Sequence, residues 1–357
     1  MEKFILSISI PTYNRSIQLK ELIEKLLNID SEELEVVVTD NQSTDNTQEM
    51  LCQYKDKRLK VFRNEEAVPG YYNMILGLFN ASGKYVMHCN DRDIVFVERI
   101  PAFINFLKMH NYSYIRTTRG FLEPSNNVVE YEAGYESLLH QEHSGHPTGM
   151  VYNTEILQEH LRKENYRKYV NDTFTYCFLM RDVMMYGKSA WIDNGCWNER
   201  HSSIKLQLKS GSIYKGGLYF ETEQIIGFME SVIKHYMESD LFKLNHNQKM
   251  EISLNVIDYF QKHLIFKKKC YADNRECAHY GMKMSYIGIR KMKEIYQVYN
   301  SACKQTMIEY NADDETIRTL DRMQEEYMHN LRKDCLGADI SIVKKYVKRL
   351  IDSTYPY

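Results

Sequence analysis

The chain has 357 residues, 43% hydrophobic and 26% charged, the composition of a folded protein with room for one large domain and a smaller one. Lys and Arg total 46 against 48 Asp and Glu, a formal net charge of −2, so the basic excess of a dedicated nucleic-acid binder is missing and no nucleic-acid partner is expected. Met1-Glu2-Lys3-Phe4 leads straight into a strand-like segment with no secretory pattern, and no stretch approaches the roughly 18 apolar residues of a membrane span, so a cytoplasmic protein is expected. The eight cysteines (52, 89, 177, 196, 270, 277, 303, 335) show no C-x-x-C pair and are expected as free thiols. Cys270, Cys277 and His279 lack the fourth ligand of a zinc site.

Strand and helix signals alternate through the first half. Phe4 to Ile10 reads as a strand, and residues 16–27 place Leu19, Leu22, Ile23, Leu26 and Leu27 on one helical face. Leu34 to Thr39 is a second, buried strand. A helix follows with Thr47, Met50, Leu51 and Tyr54 inward and Ser43 or Thr44 near its cap. Leu59 to Arg63 is a third strand, Gly70 to Phe79 a helix, and Tyr85 to Cys89 a fourth strand. Strands 112–118 and 188–193 follow, and Leu206 to Gly217 has the Gly and Ser content of a linker. From Phe220 onward the pattern is helical: Ile225, Ile226, Met229, Val232, Ile233 and Tyr236 form one stripe, Met250, Leu254, Ile257, Phe260 and Leu264 another. A last helix is expected to start at Asp339 as N-cap. The domains are thus expected at 1–217 and 218–357.

Helix-separated strands imply a mainly parallel sheet, whose ligands bind beyond the carboxyl ends of the strands. Three loops lie there. Pro11-Thr12-Tyr13-Asn14-Arg15 offers a sharp exit from the strand, a ring on which a nucleobase stacks and a cation for phosphate. Thr39 to Asp45 puts the Asp40 carboxylate at a strand end. Asn90-Asp91-Arg92-Asp93 spaces two acids so that both reach one hard divalent cation.

Taken together, S-I-P-T-Y-N-R at 9–15, V-V-V-T-D-N-Q-S-T-D-N-T at 36–47 and G-K-Y-V-M-H-C-N-D-R-D at 83–93 resemble the family 2 glycosyltransferases, over roughly residues 4–200. The resemblance implies a GT-A fold: a Rossmann-like, mainly parallel sheet flanked by helices, here followed by an all-helical C-terminal domain. It implies that Pro11, Thr12 and Tyr13 line the nucleobase pocket, that Asp40 binds the base, and that Arg15 lies near the donor. Asn64, Gly70 and Asn73 fall on the family's N-x-G-containing donor segment. Asp91 and Asp93 fall on the D-x-D pair that holds Mn²⁺ or Mg²⁺ against the donor diphosphate. Arg92 stands where the family often has an acid. Either it adds its charge to the leaving diphosphate, or it turns away toward a neighbour such as Glu98.

His143 to Val151 resembles the family's H-P-T-G-like turn near acceptor and donor sugar. His140, His143 and His146 are three apart, but Gly145 and Pro147 speak against the single helix a zinc site would need. Asp172, in Y-V-N-D-T-F, matches the acid that serves inverting relatives as base. An Asp before an apolar helix is also an ordinary N-cap. Arg200 and His201 match a late R-H-x-x-S segment that closes over the diphosphate. The tail's stripes read as core or as a homodimer interface, and its Lys and Arg as a solvated face or a peripheral contact with the inner face of a membrane.

The function expected is an inverting transfer of a sugar from a nucleotide-sugar donor, UDP-linked first, to a glycan, lipid-linked or glycoprotein acceptor. Two alternatives stay open: another activated donor such as a CDP-polyol, and a non-catalytic relative that binds or scaffolds. No G-x-G-x-x-G follows an early strand, which speaks against a dinucleotide oxidoreductase.

Overall fold

The computed structural model describes residues 4–120, 123–140, 145–169, 174–199, 222–272 and 287–353. The chain divides into two compact units, residues 1–213 and 214–357. The division falls in the expected linker, which lies outside the described residues.

In the first unit the elements follow the order β1 (Leu6–Thr12), α1 (Ser16–Leu27), β2 (Leu34–Asp40), α2 (Thr47–Leu51), β3 (Leu59–Arg63), α3 (Gly70–Phe79) and β4 (Tyr85–His88). Next come β5 (Ile94–Val95), α4 (Ile100–Met109), β6 (Tyr114–Arg119), β7 (Val128–Tyr131), α5 (Tyr135–His140), β8 (Met150–Asn153), α6 (Tyr176–Val183) and β9 (Ser189–Asn198). The described strands form one sheet in the order β3-β2-β1-β4-β8-β6-β9-β5, with β7 also on β9. The first four strands are parallel, as their helical crossovers require. Beyond β4 the pairing is mixed: β8 runs antiparallel to both β4 and β6, while β6 and β9 are parallel. This is the GT-A architecture.

The chain leaves β1 toward β2 and returns from β3 to β4 on the other side of β1. The crossover direction therefore reverses between β1 and β4, which opens a crevice at their carboxyl ends. The alternation in S-I-S-I follows from the two faces of β1. Leu6, Ile8 and Ile10 join Leu19, Leu22, Ile23 and Leu26 of α1 in a core where each buried aliphatic contributes about 1.5–3 kcal/mol. Ser7 and Ser9 face the other way, and there α3 packs so close that a Cβ on Gly77 would stand 2.7 Å from Ser9 Oγ. Buried Glu35 ties this side together, accepting from Ser7 Oγ at 2.5 Å, Ser82 N at 2.9 Å and Ser82 Oγ at 2.6 Å.

The second unit, among the described residues, is helical: α7 (Thr222–Glu238), α8 (His246–Ala272), α9 (Ile289–Glu309) and α10 (Asp314–Ser353). The stripe on α7 is buried at Ile225, Met229, Val232, Ile233 and Tyr236. Tyr299 of α9 donates to Ile257 O of α8 at 2.8 Å. Asp339 is not an N-cap, because α10 runs unbroken for 40 residues from Asp314. Its interior has no proline, and Gly337 alone costs about 1 kcal/mol, too little to end a helix packed on its neighbours.

Candidate active site at the crevice between β1 and β4

The three loops singled out in the sequence meet on one rim. Asp91, 2% exposed, joins the third loop to the first: Oδ2 accepts from Thr12 Oγ1 at 3.0 Å and Oδ1 from Arg15 Nη1 at 2.8 Å. The second loop is locked to the first through Asn14, whose left-handed backbone (φ 53°) turns its side chain across the gap. Asn14 Oδ1 accepts from Thr44 N at 2.7 Å, and Asn14 N donates to Ser43 Oγ at 2.9 Å. Asp45 returns the link, taking Ser16 N at 3.1 Å and Thr47 Oγ1 at 2.5 Å. Asp45 thus does the work at the start of α2 that Ser43 or Thr44 was expected to do, since Ser43 is engaged by Asn14. Burial alone would raise the Asp45 pKa, but the donors from Thr47 and Ser16 outweigh it and lower it.

Asp40 sits opposite Thr12 in the β1–β2 register and is fully buried. Its carboxylate accepts from Ser43 N at 3.0 Å, Gln48 Nε2 at 2.7 Å and Arg63 Nη1 at 2.9 Å. Arg63 also donates to Gln42 Oε1 at 3.0 Å. Pro11 and Tyr13 are half-buried beside them. Asn73, 3% exposed, donates to Thr39 O at 3.1 Å and accepts from Asn64 at 2.8 Å, so it clamps the end of β2. Asn64 and Asn41 continue that clamp, with Asn64 Nδ2 on Asn41 Oδ1 at 2.9 Å.

Asp93, 3% exposed, faces the turn that precedes β8. Its Oδ2 accepts from Thr148 Oγ1 at 2.5 Å and Asn90 Nδ2 at 3.0 Å, with His146 Nε2 at 3.6 Å. Asn90 Oδ1 in turn meets His88 Nε2 at 3.1 Å. Burial pushes His88 down to about 4. Burial, aided by Arg119 and other nearby cations, pushes His146 down to about 3, so both rings are neutral at pH 7. The His146 ring stacks on Trp197 at 5.1 Å, and Trp197 Nε1 donates to Thr117 Oγ1 at 3.0 Å. Arg116 holds His146 O at 2.8 Å, and Arg119 pairs with Glu199 at 3.1 Å. Arg92, between the two acids, is half-buried and lines a small crevice with Gln18 and Glu21 of α1.

Thr12, Arg15 and Asp91 are thus in direct contact, with Asp40 beside them and Asp93 on the same turn as Asp91. Asp172, Arg200 and His201 lie outside the described residues, as do His143, Cys277 and His279. Among the described residues no group of three His, Cys, Asp or Glu could hold a metal ion. His140 stacks on Tyr131 and His146 on Trp197, so those two have separate ring partners. Sequence reasoning missed Arg63, Asn14 and Trp197 with its two arginines. Only Asn14 carried a local signal, an Asn in the turn after a strand, where a positive φ is tolerated.

A parallel half-sheet with its loops converged at one reversal, followed by a mixed half-sheet, defines a GT-A protein. Residues 7–184 match the model of glycosyl transferase family 2, and the chain belongs to that family. Over 91 residues it is 36% identical to the GalNAc(5)-diNAcBac-PP-undecaprenol β-1,3-glucosyltransferase of Campylobacter jejuni, covering 25% of this chain and 29% of that protein. Over 115 residues it is 26% identical to the UDP-Glc:α-D-GlcNAc-diphosphoundecaprenol β-1,3-glucosyltransferase WfgD of Escherichia coli, covering 32% of this chain and 46% of that one. The chain spans less than half the length of these curated relatives. In fold it is similar to residues 1–349 of S. aureus TarS in complex with UDP-GlcNAc: TM-score 0.56, 17% identity, 97% of this chain and 92% of that one. No described helix is long and apolar enough to cross a membrane.

Proposed function

We propose that the chain is an inverting glycosyltransferase that moves a hexose from a UDP-sugar to a lipid-linked glycan. The observation that carries this is the direct tie of Asp91 to Thr12 and Arg15, which joins the third strand-end loop to the first, while Asn14 joins the second loop to the same rim. The activities of the Campylobacter jejuni and Escherichia coli relatives, both glucosyl transfers to undecaprenol-linked sugars, support the donor and acceptor classes.

In this proposal Tyr13 stacks on the base, Asp40 with Arg63 sets the polar edge that reads it, and Arg15 neutralises the diphosphate. Arg92, Arg200 and His201 add positive charge on the leaving side. Asp91 and Asp93 suit a Mn²⁺ or Mg²⁺ that arrives with the donor: two hard carboxylates, with no third acid grouped with them among the described residues, fit a cation completed by phosphate and water. When bound, such a cation supplies charge neutralisation on the leaving diphosphate. Asp172 takes the proton of the acceptor hydroxyl as it attacks the anomeric carbon from the side opposite UDP. The catalytic domain is residues 1–217. The helical domain supplies a self-association surface and a peripheral contact with the membrane that carries the acceptor.

Calorimetry with UDP, CDP and GDP, each with and without Mn²⁺, tests the donor. UDP is expected to bind tightest, and a preference for CDP would overturn the UDP assignment. Asp172→Asn is expected to lower transfer by about 10²–10⁴-fold with UDP affinity unchanged. Full activity in that variant rules out Asp172 as the base.

A further inference from the structure

Thr148 stands in the turn before β8, and the chemistry of its hydroxyl is fixed by its neighbours. Thr148 Oγ1 accepts the backbone N–H of Asn90 at 3.0 Å, so its single proton is committed to Asp93 Oδ2, 2.5 Å away. The residue is fully buried. Asn90 Nδ2 reaches the same oxygen at 3.0 Å, and His88 orients that amide by donating Nε2–H to Asn90 Oδ1 at 3.1 Å. Two uncharged donors therefore converge on one oxygen of Asp93, which fixes the plane of the carboxylate. Asp91 is held differently, by a hydroxyl on one oxygen and the Arg15 cation on the other. Thr12 and Arg15 thus set the orientation of Asp91, and Thr148 and Asn90 set that of Asp93.

We propose that Thr148 is a positioning residue whose hydroxyl orients Asp93 toward the divalent cation that accompanies the donor diphosphate. This rests on the nucleotide-sugar function proposed above. It also accounts for Asn90, which occupies a position where an acid would set a second carboxylate against Asp93; an amide donates there instead.

The test compares Thr148→Val, which removes the hydroxyl at constant shape, with Thr148→Ser, which restores it. Titration calorimetry measures UDP affinity with and without Mn²⁺, and near-ultraviolet circular dichroism checks the fold. Thr148→Val is expected to lose at least tenfold of the tightening that Mn²⁺ confers, with metal-free UDP affinity within twofold of the natural protein. Thr148→Ser is expected to recover the tightening to within threefold. Should Thr148→Val fail to fold, Thr148→Ala carries the same comparison without placing a second methyl against Asp93. An unchanged Mn²⁺ effect in a folded Thr148→Val protein overturns the inference. So does an equal loss with and without metal, which marks Thr148 as structural only. Absence of UDP binding by the natural protein overturns the donor assignment itself, and this inference with it.

Discussion

The two halves of the sheet solve different problems with different chemistry. From β1 to β4, parallel strands deliver their loops to one edge, and apart from the Arg15–Asp91 ion pair the contacts named between loops are short side chains meeting backbone or carboxylate: Thr12 with Asp91, Asn14 with Thr44, Asp45 with Ser16. From β6 to β9 the strands are mixed and the contacts are large rings and guanidinium groups layered behind Asp93, with Trp197 at the centre. The first half builds the rim. The second half braces it, and the His146 ring that stacks on Trp197 is kept uncharged.

The largest effect is expected in the brace. Trp197 is fully buried, covered by His146 and donating to Thr117, so Trp197→Ala should cost about 3–5 kcal/mol in denaturant unfolding. A loss below about 1 kcal/mol would mean that the rear layer does not support the fold. In the rim, Arg15→Met leaves a nearly buried Asp91 with the Thr12 hydroxyl but without its cation, at a cost of about 2 kcal/mol, and should weaken UDP binding as well.

His146 in the brace and His88 at the end of β4 share a pH signature. Unfolded, each ring takes a proton near the ordinary value of 6.5; folded, His88 does so near 4 and His146 near 3. A depressed folded value means the stability is complete above about 6.5 and drains as pH falls toward 4 and 3. Between pH 6.5 and 5 the loss should reach about 2 kcal/mol per ring in denaturant midpoints. His88→Gln should flatten that slope, and an unchanged slope would show that the ring is charged when folded. The smallest effect belongs to the surface. Lys25 and Glu21 form an exposed i,i+4 pair on α1, and Lys25→Ala should shift stability by less than about 0.5 kcal/mol.

The rim was legible in the sequence and the brace was not, for a physical reason. Strands β1 and β2 announce themselves as alternating or continuous apolar runs, and α1 matched its expected span of 16–27. The rule that parallel strands bind at their carboxyl ends then located Thr12, Arg15, Asp40 and Asp91 without any knowledge of distance. The partnership of Trp197 with His146, Arg116 and Arg119 joins residues up to 81 positions apart across mixed pairings, and no local pattern encodes it. Arg63 was missed for a similar reason. It closes a strand like many arginines, and its contact with Asp40 exists only because β3 lies beside β2. Asp339 misled because an Asp before an apolar run marks a helix start only where the preceding residues are not already helical.

The length of α10 has its own consequence. Forty residues at 1.5 Å each make a rod about 60 Å long, while its neighbours α8 and α9 have 27 and 21 residues. Leu320 and Leu331 are sealed, whereas Leu336, Ile340 and Val343 are 60%, 48% and 60% exposed on the turns beyond. Amide protons should accordingly exchange slowly over the first half of the rod and ever faster past Ala338, so that this helix frays from its carboxyl end while its root stays shut.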